Sequence, residues 1–142
     1  MHITEINAPF TIVERIPLPK YEYTEAEMFP DIRFSFSCKG CGTPVDVVLK
    51  PFQAGQPLDY LLEKGFVSEE MVINHNVAKP AMRSQKHLGT FVLFNMSAVS
   101  FILACDACPA KYWFVSGCGE VQPGRVLCHL SGIWYIALDT TS

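Results

Sequence analysis

The chain has no basic excess: 11 Lys and Arg stand against 14 Asp and Glu, for a formal net charge of -3. Binding to a phosphate backbone normally leaves a cationic footprint, so the overall charge speaks against a nucleic-acid partner. Long apolar runs are also missing. The most apolar stretches, such as Ala98 to Cys105 with Ser100 inside it, fall far short of the roughly 20 residues a membrane-crossing helix needs. Met1-His2-Ile3-Thr4-Glu5 is not a basic start leading into an apolar stretch and a small-residue cleavage site. A cytoplasmic protein is therefore expected. Internal repeats and low-complexity segments are absent, apart from two cysteine pairs. With 49% hydrophobic and 18% charged residues, the chain is too apolar to stay disordered. One domain over residues 1–142 is the expectation.

Helix is scarce in the first third, where Pro9, Pro17, Pro19 and Pro30 favour extended segments and turns. Phe10 to Ile16 reads as a strand. Phe34 to Ser37 alternates apolar and polar residues, meets Cys38-Lys39-Gly40-Cys41-Gly42, and gives way to Val45 to Leu49, which predicts strand, tight turn, strand. Pro57 suits a helix start, with Leu58, Leu61 and Leu62 on one face and Gly65 ending the turn. Ser68 caps a second short helix with Glu69 and Glu70 in its first turn. Together these predict a helical insertion over about 55–87, ending in a mobile basic loop from Ala78 to His87. From Leu88 onward strand formers dominate, and a meander is the simplest arrangement. In the last segment Val126, Cys128, Leu130, Trp134, Ile136 and Leu138 share one parity and are assigned to the core, opposite His129, Ser131 and Tyr135. The fold class is thus α+β, mainly antiparallel.

Six cysteines in a chain expected in a reducing compartment point to metal rather than disulfides. Four form two Cys-x-x-Cys pairs, Cys38/Cys41 and Cys105/Cys108, each in a turn between strand-like segments over about 34–49 and 99–115. A two-residue spacing lets one turn present two sulfurs to the same ion, and Gly40 and Gly42 supply backbone freedom there. The layout resembles the zinc-ribbon group, in which two knuckles at the ends of two hairpins hold one ion. The resemblance covers the knuckles and their flanks. It implies a structural Zn2+ on Cys38, Cys41, Cys105 and Cys108. Two departures stand out: the intervening segment is far longer than the compact ribbon's, and Pro109 follows the last cysteine where Gly is expected. Redox use would place such pairs at the start of helices in an alternating strand-helix pattern, which neither has. His75 and His87 are alternative ligands. Four thiolates and one dication would make the charge two units more negative.

Cys118, Cys128 and His129 remain. Burial accounts for Cys128, while Cys118 between two glycines is a candidate exposed thiol with His129 as its base. Gly117 to Arg125 reads as a hairpin connection with Pro123-Gly124 in a type II turn. Its Glu120, Gln122 and Arg125, with Trp113, are the candidate partner-binding residues beside the metal lobe. Lys79, Arg83, Lys86 and His87 form the locally basic stretch. Glu5, Glu14, Glu22, Glu25, Glu27 and Asp31 suggest solvated positions or an acidic docking face. A closed zinc site fixes loops without supplying chemistry. The expected function is non-enzymatic recognition of a protein partner, as in toxin-neutralising immunity proteins or adaptors. Nucleic-acid binding through the basic loop is the alternative, followed by a Cys118-dependent enzyme.

Overall fold

A computed structural model describes residues 2–26, 30–49 and 55–138, with only the backbone for residues 26 and 120–122. Its centre is an antiparallel meander of β10 (Val99–Ala104), β11 (Lys111–Gln122) and β12 (Arg125–Leu138). The edges are filled by β1 (His2–Thr4) and β6 (Gln56–Pro57) against β10, and by β2 (Phe10–Ile16) and β3 (Glu22–Ala26) against β12. Every strand pair in this sheet is antiparallel, as the sequence pattern predicts. Among the described residues no helix is long and apolar enough to cross a membrane.

Both faces of the sheet are covered, which explains the near-continuous apolar runs of its central strands. On one face lies a two-stranded ribbon, β4 (Ile32–Ser37) and β5 (Pro44–Leu49). Its strict alternation buries Ile32, Phe34, Phe36, Val45, Val47 and Leu49 against Phe101, Tyr112, Phe114, Leu130 and Ile133. Phe36 meets Tyr112 edge-on at 4.8 Å, and Phe34 stacks parallel to Phe114 at 6.4 Å. The opposite face carries α1 (Leu58–Glu63), α2 (Glu69–Asn74) and a small sheet of β7 (Lys79–Pro80), β8 (Phe91–Leu93) and β9 (Met96–Ser97). Leu61, Val72, Ile102, Trp113 and Trp134 fill that second core.

The two helices form where expected, for identifiable reasons. Pro57 precedes α1, one position earlier than predicted. The α1 C-terminus closes with Gly65 N–H on Leu62 O and Phe66 N–H on Leu61 O, the paired pattern of a Schellman cap. Asn76 N–H on Ile73 O and Val77 N–H on Val72 O repeat it after α2, whose first turn is capped by the Ser68 hydroxyl accepting from Met71 N–H at 3.1 Å. The basic stretch is not an irregular loop. It forms β7 and a 3-10 helix over Arg83–Leu88.

The parity assignment for β12 needs correction. Val115 pairs with Gly132 but Ser116 with Leu130, so Ser131 is an extra residue in a β-bulge. Alternation changes phase there. Cys128, Leu130 and Ile133 face the ribbon, with Tyr135 packed beside them, while Trp134 and Ile136 face the helices. Leu138, expected in the core, is 37% exposed. The segment Gly117 to Gln122 is likewise strand rather than loop. The connection shrinks to Pro123-Gly124, with Gly124 at φ 77° as a type II turn requires.

Candidate metal centre

The first cysteine pair sits in the turn joining β4 to β5, where Cys38 N–H donates to Thr43 O at 3.0 Å and Gly42 N–H to Cys38 O at 2.8 Å. The second joins β10 to β11, closed by Cys105 N–H on Ala110 O at 3.1 Å. One turn therefore belongs to the ribbon and the other to the central sheet. Packing of the ribbon brings them face to face. The Sγ atoms of Cys38, Cys41, Cys105 and Cys108 all lie within 4.8 Å of one another. Cys38 and Cys108 are 3.5 Å apart, and Cys41 and Cys105 are 3.8 Å apart. A tetrahedral ion with sulfur at about 2.3 Å needs its ligands about 3.8 Å apart. A disulfide needs about 2.05 Å. The spacing thus suits one shared ion, and the four cysteines are free thiols.

Local backbone geometry supports anionic sulfur. Gly40 N–H points at Cys38 Sγ at 3.3 Å, Ala107 N–H at Cys105 Sγ at 3.4 Å, and Ala110 N–H at Cys108 Sγ at 3.5 Å. Each donor lies two residues beyond its cysteine, and Thr43 does the same for Cys41. Pro109, which has no N–H, costs this pattern nothing, because the amide that reaches Cys108 is that of Ala110. The two glycines of the first turn have separate jobs. Gly42 sits at φ 76°, whereas a Cβ on Gly40 would come within 2.9 Å of Cys108 Sγ. Only glycine lets the second turn approach that closely.

Tyr112 is a site residue that the sequence pattern does not single out. Its hydroxyl donates to Cys38 Sγ at 3.2 Å and accepts from Lys39 N–H at 2.8 Å, tying the first turn to the buried sheet. Burial raises the Cys38 pKa, but the Tyr112 hydroxyl and the Cys41 and Gly40 amides outweigh it and bring it down to about 6. The Thr43 side chain and amide lower Cys41. Cys108 shows the opposite outcome: Ala110 N–H lowers it, but burial and the other three sulfurs push it up to about 12. The first thiolates form readily and the last resists, because like charges crowd together without a cation between them. A dication removes that obstacle, so the donor set fits a metal ion.

Other candidate residues lie apart from this cluster. Among the described residues the cluster contains cysteines alone, without His75 or His87. His75 follows α2 as its C-cap, and His87 lies in the 3-10 helix. Cys118 is not a free thiol. It faces Cys128 across β11 and β12, and the two are joined as a disulfide. Strand alternation places His129 on the other face, opposite Gly117, so a Cys118–His129 pair is ruled out. The expectation that no cysteines pair covalently fails at this one pair. Trp113 is fully buried and unavailable to a partner. Arg125 is exposed at the Pro123-Gly124 turn, at the opposite end of β11 from the cysteines rather than beside them. The Glu120 and Gln122 side chains, and Glu27, lie outside the described residues. Glu14 pairs with Lys39 at 3.6 Å, Glu22 approaches His129 at 3.8 Å, and Asp31 approaches Arg33 at 3.9 Å. No protein-family model, no curated protein and no solved structure matches this chain.

Proposed function

We propose that Cys38, Cys41, Cys105 and Cys108 hold one structural zinc ion in a zinc-ribbon-like site, and that the protein acts by recognising a protein partner. The single observation that carries the reading is four cysteine sulfurs gathered within 4.8 Å of one another, two pairs of them at 3.5 and 3.8 Å. Catalytic zinc keeps one position open for water or substrate, and four thiolates leave none. The ion's role is then mechanical: it staples the β4–β5 ribbon to the end of β10 and β11. The net charge of -3, more negative once thiolates bind zinc, favours a partner with a basic surface over nucleic acid. A toxin-neutralising or adaptor role is recognition of this kind.

Mass spectrometry under non-denaturing conditions, with a thiol count before and after chelation, tests the metal reading. One zinc and four thiols that become reactive only after chelation are expected. A protein that binds no metal at saturating zinc refutes the site, and visible absorption from an iron tetrathiolate would replace zinc by iron. Salt-sensitive retention on immobilised nucleic acid would overturn the choice of a protein partner.

A further inference from the structure

A cleft of about 660 Å³ opens on the helix-bearing side of the molecule, bounded by β2, β12, β7, the 3-10 helix and the β8–β9 turn. It shares no residue with the cysteine cluster. The volume lies in the range of small-molecule sites. Its charge is opposite to that of the whole protein: Arg15 and Lys79 line it beside a His129 that burial holds towards its neutral form, and no carboxylate lines it among the described residues, Glu22 reaching His129 from outside the lining. Arg15 is held in place, since its guanidinium donates to Ser131 O at 2.8 Å and lies 5.6 Å from the Trp134 ring and 5.5 Å from that of Tyr21. Ser131 is the bulged residue of β12, the kind of irregularity that re-aims side chains beside functional sites.

The rim is apolar and costly to keep. Met82 is 68% exposed and Phe94 60%, the two most exposed large hydrophobic side chains described. Phe94 and Asn95 form the two-residue turn between β8 and β9 at φ 44° and 61°. A turn with positive φ at both positions favours Asn or Gly, and a bulky side chain there is strained. Folding alone would select against Phe94. The ring is nonetheless held over the cleft, edge-on to the His129 imidazole at 4.1 Å. Strain kept at a solvent-exposed aromatic beside a cationic pocket is typical of a functional position.

We propose that this cleft binds a small aromatic carboxylate, with its ring against Phe94 and Met82 and its carboxylate directed to Arg15 and Lys79. The site is independent of the metal centre and of the protein partner proposed above. The cations provide charge complementarity for the anion, and the exposed aromatic and thioether surfaces accept a flat apolar body.

The test titrates 2-naphthoate, and separately the neutral 2-naphthylmethanol, into the 15N-labelled full-length protein. Saturable shifts are expected at the amides of the cleft, with the neutral compound about tenfold weaker for want of charge-assisted hydrogen bonds. Phe94→Asn replaces a strained residue by one the turn prefers, so its melting temperature should equal or exceed that of the wild type while naphthoate affinity drops about tenfold. Lys79→Gln should weaken naphthoate and leave naphthylmethanol unchanged. The proposal is overturned by unsaturable or scattered shifts, by equal affinity for the two compounds, or by a Phe94→Asn protein that binds naphthoate as tightly as the wild type.

Discussion

Cys41→Ser should free the β4–β5 ribbon from the sheet while leaving the helix-bearing core in place. The ribbon comprises two six-residue strands and the six residues between them. Ordering that segment costs roughly 27 kcal/mol at about 1.5 kcal/mol per residue. Its six buried side chains, Ile32, Phe34, Phe36, Val45, Val47 and Leu49, return about 13 kcal/mol at the middle of the usual range per side chain. A structural zinc supplies about 10–16 kcal/mol. The two gains together match the ordering cost, and neither suffices alone. Hydrogen exchange on the full chain, alongside metal analysis, reads this directly. In Cys41→Ser, metal content should fall and amides from Ile32 to Leu49 should exchange far faster. The amides of Trp113 and Trp134, on the strands that carry the second core, should stay slow. A variant that retains full metal and melting temperature would exclude Cys41 as a ligand. A metal-free protein with its ribbon still protected would refute the energetic argument, because apolar contacts would then be enough.

Other outcomes follow from single contacts. Tyr112→Phe removes the donor to Cys38 Sγ and leaves Lys39 N–H without its acceptor; metal affinity, measured by chelator competition, should fall about 10- to 100-fold. Burial lowers the His129 pKa, with Glu22 opposing it. The unfolded chain then takes up a proton at a pH where the native imidazole is still neutral, so stability should decline as pH falls from about 6.5 towards the lower native value. Denaturant titrations of wild type and His129→Gln should show that slope reduced in the variant, and equal slopes would refute it. Replacing both Cys118 and Cys128 by Ala opens a loop between cysteines ten positions apart. Stability should fall by no more than about 2–3 kcal/mol, with the meander intact by circular dichroism. Ser68→Ala removes the α2 cap and should cost about 1 kcal/mol in a thermal melt.

Local chemistry made much of this molecule legible. The alternation in Ile32–Ser37 and Pro44–Leu49, the cap at Ser68 and the turn at Pro123-Gly124 each act through near neighbours, so the corresponding elements could be read from spacing. The two Cys-x-x-Cys turns were legible for the same reason, although nothing local says that turns 64 or more positions apart must meet. The misreadings arise where long-range pairing intervenes. The bulge at Ser131 depends on the register of β11 against β12, and it changes the phase of every side chain after it. Two flanking glycines suggest a free Cys118, but cross-strand pairing sets it against Cys128. Trp113 could have served a surface equally well until the sheet was covered on both faces.

The sequence by itself determined which short segments are extended, which turn, and which four sulfurs are available to an ion, because those properties depend on side chains a few bonds apart. Only the tertiary structure decided that the ribbon folds over the sheet and brings the four sulfurs within 4.8 Å of one another. It also placed the Tyr112 hydroxyl beneath Cys38 and gathered Arg15, Lys79, Phe94 and His129 around one cleft. Those juxtapositions come from packing two apolar faces onto one sheet, a property of the whole chain that no local pattern encodes.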